Sequence, residues 1–311
     1  MPFLENVLRG RNVPRARLDE VAGHYYHFDG RSPIAAATRG IIADLQRELE
    51  QHGSRLPVYG GNRNWHPFLA DTLRQMAGDG IRRALAIVTS AFGSYSSCRQ
   101  YLEDIARARA EVGAAAPEVD KIRLFYNHPA YLALWRERLA AGLARLPGAA
   151  LVFTAHSIPT AMAATGPYEA QLAEACALIA SGVGAPRWRL AYQSRSGPPQ
   201  QPWLEPSLDT VLGQLHAEGA TGVVLAPLGF LSDHMEVVYD LDVEAAARCR
   251  ELGLAMERIR TVGDHPGFAP LLRTLIAERL DPTLARLAAG PRPAWPDACP
   301  QGCCLPPPRQ R

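Results

Sequence analysis

Short β-branched runs that alternate with longer amphipathic segments constrain this chain more than any other feature. The candidate strands are Leu56–Tyr59, Ala84–Thr89, Ile122–Tyr126, Ala150–Thr154, Trp188–Gln193 and Gly222–Ala226. Between and after them come candidate helices at Ser32–Gln51, Trp65–Asp79, Ser96–Val112, Pro129–Leu146, Pro167–Ser181, Ser207–Glu218, Val237–Leu252 and Pro266–Leu280. Apolar residues return every three or four positions in the helices, which marks one buried stripe on each. Gly and Pro punctuate the junctions. A helix between successive strands lets them pair in parallel, so the expected fold is α/β, with mostly parallel sheets flanked by helices on both faces.

The strand count suits two similar halves. The first is expected over 1–118, ending at the loop Gly113–Pro117, and the second over 119–265. The helical segment 266–285 is expected to return to the first half. The tail, 286–311, is rich in Pro and Cys, has no periodicity, and is expected to be ordered only if something ties it down. Hydrophobic residues make up 47% of the 311 and charged ones 21%, a globular composition. A net charge of +2 and the lack of a basic tract give no reason to expect a nucleic-acid partner. The longest apolar stretches, such as Gly222–Leu231, are about half a membrane span. The opening Met1-Pro2-Phe3-Leu4-Glu5 lacks the apolar core of a signal peptide. A cytoplasmic protein with no transmembrane segment is expected.

In open parallel sheets, chemistry collects beyond the carboxyl ends of the strands. Three ends stand out. Leu151–Thr154 runs into Ala155-His156-Ser157-Ile158-Pro159, and Trp188–Tyr192 into Gln193-Ser194-Arg195-Ser196-Gly197. Val223–Ala226 runs into Pro227-Leu228-Gly229-Phe230-Leu231-Ser232-Asp233-His234-Met235-Glu236. His156, between a buried strand and a Pro-terminated turn, is either a hydrogen-bonded structural histidine or a proton acceptor and metal ligand. Glu236, Asp240 and Glu244 share a helix face at four-residue spacing. Like charges there destabilise a helix unless they cap it, bind a cation or pass protons. The plainer reading is a solvated acidic face capped by Ser232, but Leu231, Val237, Val238 and Leu241 argue for burial.

Of six cysteines, Cys299, Cys303 and Cys304 crowd into the last thirteen residues. In a cytosolic chain such a cluster reads more naturally as metal binding than as disulfides. Cys176 and Cys249, among alanines and leucines, read as small buried hydrophobes.

Taken together, these segments resemble the ferrochelatases, which insert iron into a porphyrin late in haem synthesis. The resemblance rests on Arg9-Gly10-Arg11, Gly30-Arg31-Ser32-Pro33-Ile34, Gly61-Asn62-Arg63-Asn64-Trp65-His66-Pro67-Phe68, Thr154–Pro159, Tyr192-Gln193-Ser194, Pro202-Trp203-Leu204 and Pro227–Glu236. It implies two Rossmann-like halves with a porphyrin cleft between them, and His156 and Glu236 as the iron-site pair, expected on opposite faces of the macrocycle. It also implies an acidic path behind Glu236 made by Asp233, His234 and Asp240. Tyr25, Ser32 and Tyr101 would line the porphyrin pocket, and Arg9 and Arg11 would lie near its carboxylates. The expected partners are a porphyrin, with coproporphyrin III favoured over protoporphyrin IX, ferrous iron, and transiently an iron donor or a haem acceptor.

Some bacterial members carry a [2Fe-2S] cluster on one internal and three C-terminal cysteines, which here implies Cys98, Cys299, Cys303 and Cys304. A zinc site of four thiolates is the alternative. The family's opening strand and Gly-Pro turn have no counterpart, because Met1–Asn6 aligns inside that region. A misassigned start is the expectation, and the intact mass of the native protein decides it. Asn64 stands where some relatives place a histidine. Two other functions fit the residues: a chelatase for another metal or tetrapyrrole, and a non-catalytic porphyrin or haem carrier. A nucleotide-binding dehydrogenase does not, because no GxGxxG follows a strand.

Overall fold

A computed structural model describes residues 6, 22–23, 25–26, 28, 30, 32–185, 187–198 and 200–306. Helix α1 (Ile34–Gln51) is followed by α2 (Leu69–Gly78) and strand β1 (Arg83–Ala86). A π-helical turn, Tyr95–Arg99, leads directly into α3 (Gln100–Val112) and then β2 (Glu118–Lys121). The second half of the chain runs α4 (Pro129–Arg145), β3 (Ala150–His156), α5 (Thr160–Ala163), α6 (Tyr168–Gly182), β4 (Trp188–Gln193), α7 (Leu208–Ala217) and β5 (Gly222–Ala226). There follow α8 (Met235–Val237), a π-helical stretch Val238–Ala245, α9 (Ala246–Leu252), β6 (Ala255–Arg258) and α10 (Phe268–Leu280).

All strand pairing in both sheets is parallel, as the strand–helix alternation requires. One sheet contains β1 and β2, and the other has the order β4-β3-β5-β6. Strands β3 and β5 occupy its centre, covered on both faces, which is why Leu-Val-Phe-Thr-Ala and Gly-Val-Val-Leu-Ala read as unbroken apolar runs. The register pairs His156 with Gln193, so β3 and β4 end side by side. The largest core cluster joins Leu45 and Leu49 of α1 to Phe92, Trp135, Phe153 and Leu275, and so runs through both parts of the chain.

Two strand expectations change, and one strand arises where none was expected. Leu56–Tyr59 forms no strand: the Val58 N–H donates to the Gln46 side-chain oxygen (2.9 Å) and the Tyr59 hydroxyl to Asp79 (2.8 Å) instead of to a ladder. The second strand lies at Glu118–Lys121, not Ile122–Tyr126; the latter run leaves the ladder at Ile122, and Ile122, Leu124, Phe125 and Tyr126 fill the core. Strand β6, Ala-Met-Glu-Arg, has little intrinsic strand preference and forms because the edge of β5 is there to pair with.

Helix α10 packs on α1, where Arg273 meets Glu48 at 2.8 Å. The tail beyond it has no regular structure but is tied at several points. Buried Glu278 pairs with Arg123 (2.8 Å) and accepts from the Leu287 N–H. Buried Glu174 pairs with Arg292 (2.8 Å), and the Cys304 N–H donates to the Thr165 carbonyl. Among the described residues, no helix is long and apolar enough to cross a membrane.

Candidate active site

His156 is the last residue of β3, and its carbonyl accepts from the buried Tyr168 hydroxyl (3.0 Å). Its Nδ1 lies 2.5 Å from the Ser157 carbonyl, which can only accept, so Nδ1 donates there and Nε2 is the ring nitrogen turned to the site. That Nε2 faces Glu236 Oε2 at 3.5 Å. The side chains are 31% and 56% exposed, so the pair is open to an incoming ligand.

This distance corrects the expected arrangement across a macrocycle. A flat ring needs van der Waals contact on both faces, roughly 7 Å from atom to atom. As they stand, His156 and Glu236 leave no slot for a ring between them. The loop after β5 brings them together. The Gly229 N–H donates to the Thr154 carbonyl (3.0 Å), and a Cβ at Gly229 would sit 2.7 Å from Ala155 Cα. Only a glycine lets the loop lie this close to β3.

The other residues expected at the site divide into groups. His234 caps α8: its Nδ1 accepts from the Glu236 N–H (3.2 Å), so the ring is unprotonated at Nδ1. Burial, with His156 nearby, lowers its pKa below the ordinary histidine value. His234, not Ser232, is thus the cap. Tyr25 lies close enough for the charge of Glu236, added to burial, to push its phenol up to about 12. Asp233 is engaged on the side away from the pair. Its carboxylate accepts from Arg258 (2.7 Å) and from the Thr261 hydroxyl (2.9 Å), which bolts the loop to the end of β6.

Asp240 lies within electrostatic reach of Glu236. Its Oδ2 accepts from Ser194 Oγ and from Gln193 Nε2 (3.1 Å), and burial raises its pKa to about 6 with Glu244 and Glu236 adding to the rise. The segment is π-helical, with more than four residues per turn, so Glu236, Asp240 and Glu244 follow one another along one face. Asp240 and Glu244 line a cavity of about 390 Å³ together with Ser157, Ser194, Arg195 and Arg248.

Ser32 accepts from the Ile34 N–H (3.3 Å) at the start of α1. The Tyr101 ring lies under the Arg63 guanidinium (4.7 Å), which also pairs with Asp104. Arg9 and Arg11 lie outside the described residues.

Gln193 and Ser194 stood in the sequence at a strand end, but no role could be given them before the fold placed Asp240 opposite. Lys121 and Trp295 went unnoticed altogether. Cys98, in the π-helical turn, and tail residues Cys299, Cys303 and Cys304 converge. Cys303 and Cys304 Sγ are 3.5 Å apart, and Cys299 accepts from the Trp295 indole (3.4 Å). Cys98 beside it, the indole and the Lys121 ammonium pull the Cys299 thiol down to about 5. Burial pushes Cys304 up to about 12. Among the described residues, no three His, Cys, Asp or Glu side chains form a group that could hold a metal ion.

The fold and its strand-end imidazole–carboxylate pair define an α/β protein of the chelatase type. At the level of fold, the chain is similar to "SirB from Bacillus subtilis with Fe3+": TM-score 0.55, 12% identity, 76% of this chain and 87% of that one covered. The ferrochelatase family model matches residues 1–280. The chain is 51% identical to a ferrochelatase of Rhodopirellula baltica, covering all of this chain and 90% of that one. It is 50% identical to a coproporphyrin III ferrochelatase of Nocardia farcinica, covering 98% and 92%. The chain belongs to the ferrochelatase family, lyases that insert ferrous iron into a porphyrin in haem biosynthesis.

Proposed function

We propose that the chain inserts Fe2+ into coproporphyrin III, held between the halves 1–118 and 119–265, and that His156 and Glu236 act together from one face of the ring. The observation that carries this reading is the 3.5 Å separation of an imidazole nitrogen and a carboxylate oxygen. Ligand legs of about 2.1 Å spanning that gap subtend about 110°, suitable for a divalent ion. The same two atoms also accept protons. Iron leaves the pair for the four ring nitrogens, and the two inner N–H protons it displaces pass to His156 Nε2 and Glu236, so charge balances on both sides. Asp240, with its raised pKa, takes a proton from Glu236 towards the cavity. Tyr25 remains a neutral phenol beside the pair, and Ser32 and Tyr101 belong to the pocket wall. The relatives named for coproporphyrin III support that substrate over protoporphyrin IX. The site of action is the cytoplasm, with transient contact to an iron donor or haem acceptor.

Anaerobic absorbance with each porphyrin tests substrate and site at once. Coproporphyrin III should be metallated faster, and His156→Ala should lose insertion by roughly 10²–10⁴-fold while still quenching porphyrin fluorescence on binding. Insertion at the wild-type rate in His156→Ala removes the assignment.

Cys98, Cys299, Cys303 and Cys304 are proposed to hold a [2Fe-2S] cluster. The convergence of four thiols, one with its pKa near 5, supports it. A binuclear cluster takes two thiols per iron, four in all, which matches the number of cysteines that converge here. When bound, it ties the tail to the π-helical turn; the metal-insertion step does not use it. Purified protein should show cluster absorbance that Cys98→Ser and Cys304→Ser both lose. Stoichiometric zinc in its place would refute the cluster.

A further inference from the structure

We propose that Ser194, assisted by Gln193, is a positioning residue for iron insertion: it clamps the Asp240 carboxylate in line between Glu236 and the rear cavity. The proposal rests on the reading of Asp240 as the proton acceptor behind Glu236.

Three observations meet at this point. Ser194 follows β4 directly with φ 61°, in the left-handed region that side chains seldom adopt. That backbone turn directs its hydroxyl to Asp240 Oδ2. The Gln193 amide donates to the same oxygen (3.1 Å) and reaches the Glu236 carbonyl (3.4 Å), so one side chain links the two acids. Gln193 is 94% buried, and its Oε1 is without a hydrogen-bond partner among the described residues, so the amide is held in place by its Nε2 contacts alone.

Without these donors, burial and the neighbouring carboxylates would push the Asp240 carboxyl further up. Its own helix adds Glu236 and Glu244, both of which oppose ionisation. From the facing elements the cavity wall presents Arg195, Glu205 and Asp209, and Arg248, further along Asp240's own helical run, is paired with Asp209 at 2.8 Å. Donors from Ser194 and Gln193 favour the charged form, which lets Asp240 cycle between its two states.

The test compares Ser194→Ala, Ser194→Gly and Asp240→Asn by pH profiles of kcat/KM for anaerobic iron insertion, with porphyrin binding read by fluorescence quenching. Loss of the hydroxyl should displace the acidic limb upward by about one pH unit, roughly tenfold in rate below the limb, in both serine variants alike. Porphyrin affinity should stay at the wild-type value. Glycine tolerates φ 61°, so it separates hydroxyl from backbone. A wild-type limb in Ser194→Gly means that backbone strain, not the hydroxyl, mattered, and it overturns the proposal. If Asp240→Asn abolishes the limb while both serine variants keep it, the clamp alone is refuted. A wild-type profile in Asp240→Asn removes the path itself, and the clamp with it.

Discussion

Gly229→Ala tests whether the spacing of the loop against β3 sets the site. The added Cβ would stand 2.7 Å from both Ala155 Cα and Ala155 Cβ, where ordinary contact begins near 3.5 Å. Something must give by roughly 0.8 Å. Ala155 is fully buried, on a strand paired on both sides, so the loop carrying Glu236 moves rather than β3. Overpacking of this kind costs about 1–3 kcal/mol, and a chain of this size loses about 1.5 °C in Tm for each kcal/mol. The same displacement widens the His156–Glu236 gap, and a misplacement near 1 Å costs on the order of 10²-fold in rate. Differential scanning fluorimetry and anaerobic iron insertion read the two effects. A variant with wild-type Tm and wild-type kcat would show that close approach at Gly229 does not fix the pair, and the geometric argument would fail.

Asp233→Asn should act on stability rather than chemistry: it weakens the tie to Arg258 by roughly 1–3 kcal/mol, seen as a lower urea midpoint, with the pH profile of insertion unchanged. A displaced profile would restore Asp233 to the acidic path. Asp240 carries a folded pKa of about 6, above its unfolded value, so its contribution to stability is present at low pH and is lost as pH rises through 6. Asp240→Asn should therefore be more stable than the wild type above pH ~6, by roughly 2–3 kcal/mol, with the difference closing towards pH ~4; equal melting curves at all pH values would contradict the burial argument. Trp295→Phe removes the indole donor to Cys299, so in cluster-free protein this thiol should alkylate with a raised apparent pKa. An unchanged alkylation profile would show that the indole contact does not tune it.

Parallel α/β architecture was written in the sequence because local patterning determines it. Helical stripes bury one face each, and the two central strands, covered on both sides, are unbroken apolar runs. Helix α1, strand β4 and strand β5 fall where their residues predict. The histidine and glutamate were legible for a similar reason: strand ends announce themselves as an apolar run that stops in polar residues, and the flanking motifs are specific.

Tertiary structure alone decided what depends on proximity between distant segments. Ala255–Arg258 becomes a strand because β5 offers an edge, whereas Leu56–Tyr59, better suited by composition, meets no partner. Asp233 and Asp240 look alike on a helix wheel. One is neutralised by Arg258, 25 residues further along, and the other is held by Ser194, 46 residues before it, so their chemistry diverges. That His156 and Glu236 stand 3.5 Å apart follows from how far the Gly229 loop folds over β3. Such a distance is fixed by packing between chains of atoms that no local pattern connects.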